Sequence, residues 1–258
     1  MEKFPARTGW LWVKQGLALF RQQPGGLSSL FFVYLFLTIA SLLVPLVGPF
    51  LPVVLIPVVS VAFMHACLNI ERGQRIQPNL LLSGLRKPAF LPLLSLGILY
   101  LLLMAVLVAV LRVVDDGILM KLSSGKLDVN AAAAAQAQMS YKIPLAVILY
   151  LMANLLICFC APLIYWRATG VGKAIFFSAF AVLRSLGAFI VLGLCWFGIY
   201  MVIGNVAALV LGLMGFNGLM MVMVPMLGLL MVIIHCSLYA SYCQVFGNPA
   251  TLTAPAGG

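Results

Sequence analysis

The stretch Gly16-Leu-Ala-Leu-Phe-Arg-Gln-Gln-Pro-Gly-Gly-Leu27 decides the fold. It is a short amphipathic run that closes on an arginine, then a break, then the start of a long apolar span. Two weaker echoes follow, Leu80-Leu-Leu-Ser-Gly-Leu-Arg-Lys-Pro-Ala-Phe90 and Phe177-Ser-Ala-Phe-Ala-Val-Leu-Arg-Ser-Leu-Gly187. Each sets one arginine (Arg21, Arg86, Arg184) just ahead of a span. The chain therefore reads as three copies of one unit: surface helix, arginine, membrane hairpin.

Composition fixes the solvent. Of the 258 residues, 64% are hydrophobic and 8% charged, whereas a soluble globular protein is about half apolar and about a quarter charged. The fold class expected is all-α: a polytopic membrane protein with six transmembrane helices arranged as three hairpins, each preceded by a short amphipathic interfacial helix. A closed β-barrel is the other way to satisfy backbone groups in lipid. It needs alternating polar and apolar residues, and the runs here are continuously apolar.

Residues 8–22 have helical periodicity, with Trp10, Val13, Leu17 and Phe20 on one stripe and Lys14, Gln15, Arg21 and Gln22 elsewhere. Such a helix is expected in the interface, with its tryptophans at headgroup level. Pro24-Gly25-Gly26 then breaks it. At about 20 residues per crossing, the spans fall near 27–47, 50–70, 89–111, 143–165, 186–211 and 219–239. Pro45, Pro49, Pro52 and Pro57 crowd the first hairpin; proline removes a backbone donor, so bent or broken helices are expected there. Residues 112–142 form the one substantial hydrophilic loop. Residues 1–246 read as a single integral membrane domain and 247–258 as a disordered tail.

Charge orients the chain. Lys3, Arg7, Lys14, Arg21, Arg72, Arg75, Arg86, Lys87, Arg167, Lys173 and Arg184 lie on one side, and Arg112, Lys121, Lys126 and Lys142 on the other. An excess of lysine and arginine marks the cytoplasmic face. Both termini are therefore expected in the cytoplasm of a bacterial cell, with the 112–142 loop outside. The net charge of +10 lies beside spans, where it contacts anionic headgroups, so nucleic acid is not an expected partner. No cleavable signal peptide is read, because the first 26 residues carry four cations and no uninterrupted apolar core.

Gly9-Trp-Leu-Trp12, Leu19-Phe-Arg21 followed by Pro24, and the proline-rich first hairpin resemble an uncharacterised family of proteobacterial six-span inner-membrane proteins. The resemblance covers most of the chain. It implies an inner-membrane location and carries no assigned activity. The layout also looks like the membrane domain attached to some glycerophosphodiester phosphodiesterases. That likeness is architectural, and the soluble catalytic barrel of those enzymes has no counterpart here.

The centres of the spans hold no Asp, Glu, Lys or Arg, the residues that mark proton relays and intramembrane hydrolysis. No His-Glu-x-x-His, Gly-x-Ser-x-Gly or P-loop appears in its required context. No catalytic residue and no cofactor is expected. Three constellations stand out. His65, Cys67, Cys158, Cys160, His235 and Cys236 recur near the same end of the even-numbered spans; they read either as a soft-metal site or as small, buried packing residues. Asn154 and Asn205 read as interhelical hydrogen-bonders or as a polar path. Arg21, Arg86, Lys87, Lys173 and Arg184 read as a basic collar, serving either as plain anchoring or as a grip on anionic lipid headgroups. The function this supports is a non-enzymatic inner-membrane protein acting on lipid or on another membrane protein. The alternative is a small transporter or channel for a lipid or hydrophobic solute. A topology reporter fused at Ser124 is expected to be active on the extracytoplasmic side; a cytoplasmic signal would overturn the orientation.

Overall fold

The computed structural model describes residues 4–85, 88–114, 145–213 and 219–249. Among these the chain is helical, with no strand. The order is α1 (Arg7–Gln22), α2 (Pro24–Ser41), α3 (Leu51–Val54), α4 (Ile56–Glu71), a 3-10 helix (Pro78–Leu85) and α5 (Phe90–Val114), then α6 (145–156), α7 (Cys160–Arg167), α8 (Val171–Arg184), α9 (Leu186–Leu213) and α10 (Leu219–Phe246). Five stretches are long and apolar enough to cross a membrane: Pro24–Ser41, Phe90–Leu111, Leu145–Arg167, Leu186–Leu213 and Pro225–Phe246.

The remaining expected span, about 50–70, is divided. Prolines sit at the first turns of both α3 and α4, and the two helices part at Leu55. Proline starts a helix readily but gives no N–H to the turn before it, so α4 is a separate apolar helix of 16 residues. The first span stops at Ser41 rather than near 47, and residues 42–50 form turns, with Leu46 at φ 68°. The fourth breaks at 157–159. Ser178 on α8 repairs that break: its hydroxyl donates to the Leu156 carbonyl at 2.7 Å and accepts from the Phe159 N–H at 3.2 Å. Irregular backbone at membrane depth survives where neighbouring side chains re-satisfy it in this way. Most of the 112–142 loop and of the 247–258 tail lies outside the described residues.

The short α4 is the hub. Val58, Val61, Ala62, Phe63, Met64, Ala66, Cys67 and Leu68 are all buried. The other helices bury mainly the half nearer the basic end: Leu27, Leu30 and Phe31 in α2, Leu93, Leu96 and Tyr100 in α5, Ala188, Phe189, Leu192 and Trp196 in α9, and Val232, Cys236, Tyr239, Tyr242 and Phe246 in α10. Toward the other end Phe36, Leu43, Leu102, Val202 and Leu209 are exposed, an apolar surface suited to lipid. An aromatic cluster ties the packed end together. Phe159 lies 5.6 Å from Phe189 and 5.5 Å from Phe246, and Trp166 lies 5.1 Å from Tyr242, ring centre to ring centre.

Two of the lead-in segments depart from the interfacial helices expected. In α1 the buried face is Thr8, Gly9, Trp12, Val13, Gly16 and Leu19, and Trp12 is fully enclosed while Trp10 is exposed. Gly9 and Gly16, seven residues apart, let α1 press on two spans at once. A Cβ at Gly9 would meet the Ala188 carbonyl and lie 2.9 Å from Leu192 N; one at Gly16 would lie 2.6 Å from Ser237 N. Trp12 Nε1–H donates to Gln244 Oε1 at 2.5 Å. The helix is therefore docked through its small residues, not floated on its tryptophans. The second lead-in, Pro78–Leu85, is a 3-10 helix folded back along α4, with Leu81, Ser83 and Gly84 buried. Gly84 faces Val58, thirteen residues, or about 20 Å of helix, before the end of α4.

Gly16→Ala is expected to lower stability by about 1–3 kcal/mol, the usual cost of overpacking, in thermal unfolding of the detergent-solubilised protein. Gly198→Ala, whose added methyl meets nothing within 4 Å, is expected to be neutral or to stabilise by up to about 1 kcal/mol through helix propensity. Equal effects would remove the close approach.

Candidate functional site

The basic residues of the collar fall at helix ends. Arg21 is in the last turn of α1 and Arg184 in the last turn of α8, where a cation is favoured by the helix dipole. Each is followed by a one-residue break, Gln23 after Gln22 and Ser185 after Arg184, and then by a long apolar helix. Lys173 is in the first turn of α8, and all three side chains are exposed. Arg86 and Lys87 lie outside the described residues. Arg167 is committed elsewhere: its guanidinium donates to the Phe246 carbonyl and stacks on that ring, closing the end of α10.

The histidines and cysteines divide. Cys67 on α4 and Cys236 on α10 meet, both buried, with sulfurs 3.4 Å apart. His235 Nδ1–H donates to the Met231 carbonyl of its own helix at 2.8 Å, and its ring lies on Phe63. His65 faces away toward Tyr165, whose hydroxyl is 3.4 Å from His65 Nδ1. Cys158 lies in the break between α6 and α7, and Cys160 opens α7. Among the described residues no three His, Cys, Asp or Glu side chains come together as a metal set. Asn154 and Asn205 each donate to the carbonyl four residues earlier, Tyr150 at 2.8 Å and Met201 at 2.7 Å; each amide serves its own helix.

Two recesses have the shape of binding sites. The first is a groove of about 300 Å³ between α2, the α3–α4 break and the 3-10 helix. Its walls include Leu37, Leu55, Val58, Leu81 and Leu85, with Tyr34, Thr38 and Ser41 as its polar groups. Leu37, Leu51, Leu82 and Leu85 on its rim are exposed, so the groove opens on the lipid-facing flank. It exists because the 3-10 segment folds back against α4, which the sequence reading placed at the surface.

The second recess, of about 500 Å³, lies at the basic end between α1, α10 and the end of α4. Gln15, Ala18, Leu19, Glu71, Ala240, Cys243 and Gln244 line it. Glu71 is the one acidic residue among the described residues. It accepts from the Tyr239 hydroxyl at 2.7 Å and the Asn248 amide at 3.3 Å, both on Oε2. In the sequence it stands directly before Arg72, among cations, and belongs to no motif. The available signal was its rarity: on the cation-rich side the sequence offers only Glu2 and Glu71 as carboxylates.

Comparison with known proteins gives a consistent class. The chain is 35% identical over 248 residues to a protein of Burkholderia thailandensis named as a probable inner membrane protein, covering 94% of this chain and 92% of that one. No family model matches the chain, and no solved structure matches it significantly. With five apolar spans and this relative, the chain is a multipass, membrane-embedded protein.

The α4–α10 pairing is open to a direct check. In a variant keeping only Cys67 and Cys236, a membrane-permeant oxidant is expected to join the two helices, read as linked peptides after proteolysis. A variant keeping only Cys67 and Cys158 is expected to give no intramolecular link.

Proposed function

Because the chain belongs to the same family as the Burkholderia inner membrane protein, we propose that it is a non-enzymatic lipid-binding protein of the bacterial inner membrane, acting as an accessory factor. The observation that carries this reading is the groove between α2, α3–α4 and the 3-10 helix. At about 300 Å³ it is at the small end of ligand clefts, its walls are almost wholly apolar, and it faces the bilayer. An acyl chain is the occupant such a groove suits. Arg21, Lys173 and Arg184, exposed at helix ends, supply the phosphate-binding groups of an anionic headgroup collar. With the cation excess on that face, both termini are assigned to the cytoplasm.

A second reading, a carrier that moves a lipid or hydrophobic solute, rests on one observation. Leu55, where the α3–α4 rod is broken, lines the same groove, and broken helices mark substrate sites in transporters.

The test is native mass spectrometry of the full chain gently extracted from its membrane. Wild-type protein is expected to retain phospholipid. Leu37→Trp and Leu82→Trp, both at exposed rim positions, are expected to cut retention at least about fivefold, a change of about 1 kcal/mol, with little change in thermal stability. Retention unaffected by either filling would remove the groove as the site.

A further inference from the structure

We propose that the recess at the basic end is a binding site for a primary ammonium group held beside a phosphate, the pairing found in a phosphatidylethanolamine headgroup. The site lies apart from the apolar groove, with no lining residue in common, so the two readings stand or fall separately.

The argument starts from charge. The face built by α1, the end of α4 and the end of α10 carries many cations, and a carboxylate placed there is matched to a positive ligand that approaches together with a negative one. Glu71 is in the recess wall, exposed. Tyr239 and Asn248 both bind its Oε2 and hold the group in one orientation, which directs Oε1 as the acceptor for a ligand. Gln15 on α1 and Gln244 on α10 line the same space. Gln244 Oε1 is engaged by Trp12, which fixes its amide. An ammonium has three N–H donors; a carboxylate oxygen and the Gln15 carbonyl oxygen supply acceptors of the right type.

The phosphate half comes from the neighbouring corner. Gln23 donates to the Gln74 carbonyl at 2.8 Å, and its Oε1 accepts from the Ile76 N–H at 3.1 Å. This clamp brings the α1–α2 break against residues 74–76; Arg21, two residues before Gln23, and Arg75, next to Gln74, are both exposed there and stand outside the recess lining. A guanidinium pairs phosphate through a fixed fork of donors, and hydrogen bonds between ionised groups are the strong ones. Carboxylate on one side and arginines on the other match a zwitterion, whereas a plain anionic headgroup uses the arginines alone.

The experiment is lipid titration of the full-length, delipidated protein by native mass spectrometry. The probes are phosphatidylethanolamine, phosphatidylcholine (whose trimethylated nitrogen has no N–H to donate) and phosphatidylglycerol. Wild-type protein is expected to bind phosphatidylethanolamine about tenfold tighter than phosphatidylcholine, the size of one hydrogen bond to a charged group. Glu71→Gln, nearly isosteric, is expected to erase that preference and leave phosphatidylglycerol binding unchanged. Gln15→Lys, at an exposed α1 position, puts a rival ammonium into the recess and is expected to do the same without touching the Tyr239–Glu71 bond. Leu37→Trp is expected to keep the preference, which separates this site from the groove. Free ethanolamine distinguishes the sources: displacement of the lipid at millimolar concentration, lost in Glu71→Gln, assigns the site to a soluble amine, and no displacement with the lipid preference intact assigns it to the headgroup. Equal binding of phosphatidylethanolamine and phosphatidylcholine by the wild type, or a preference that survives both substitutions, overturns the proposal.

Discussion

The structure depends on how closely α1 approaches α9 and α10. Helices in lipid gain no hydrophobic drive from meeting one another; they are held by packing and a few hydrogen bonds, and small residues permit the contact. Gly9 and Gly16 supply that permission at two points one heptad apart. Trp12 then fills the space between them, enclosed against Phe189 at 5.0 Å and bonded through its N–H to Gln244. The floor and rim of the basic-end recess are a by-product of this docking: Gln15, Ala18 and Leu19 are the next turns of the same helix. The concentration of burial at this end follows as well, because the short helices α1, α7 and α8 pack there against the long ones.

Much of the fold was legible in the residues. The long apolar runs gave α5 and α9 close to their limits, while α10 runs on to Phe246, past the 239 expected; Pro24 marked the handover from α1 to α2, where it ends one helix and opens the next. The proline-crowded hairpin announced a broken helix, and α3 and α4 are separate. What failed was the choice of face. In a chain this apolar, periodicity says that a helix exists but not which side finds protein and which finds lipid. Of the Trp10–Val13–Leu17–Phe20 stripe, Val13 is buried and Leu17 and Phe20 pack partly against the core, but Trp10 is exposed and the closest approaches run through the glycines. The same blindness placed Pro78–Leu85 on the surface; a serine-glycine step at Ser83-Gly84 is the one hint that another backbone comes near. For the sites, the directions of the histidines and cysteines around each helix were not readable, and Glu71 was lost among its basic neighbours.

The two recesses belong to different solvents. The groove is walled by leucine and valine and lies on the lipid-facing flank, so whatever fills it leaves one hydrocarbon environment for another. The gain is shape rather than escape from water, and selectivity rests on the few polar groups, Tyr34, Thr38 and Ser41. The basic-end recess is lined by amides and a carboxylate within reach of water, and there charge and hydrogen bonding decide. A protein with both can read the two ends of an amphiphile by separate physics, with the hub helix α4 contributing to each: Val58 and Val59 to one and Glu71 to the other.

The pairing of α1 with α10 also has a meaning in time. Trp12 and Gln244 are 232 positions apart, and a ribosome moving at about 5–20 residues per second takes roughly 10–50 s to cover that distance. Through that interval α1 lacks its α10 partner, and it gains α9 only when residues 186–213 have been made. α10, made long after α1, completes its packing. A nascent chain that stalls before α10 leaves the Trp12 N–H without Gln244 and Gly16 without Ser237, while Gly9 already has Ala188 and Leu192 of α9 to pack on.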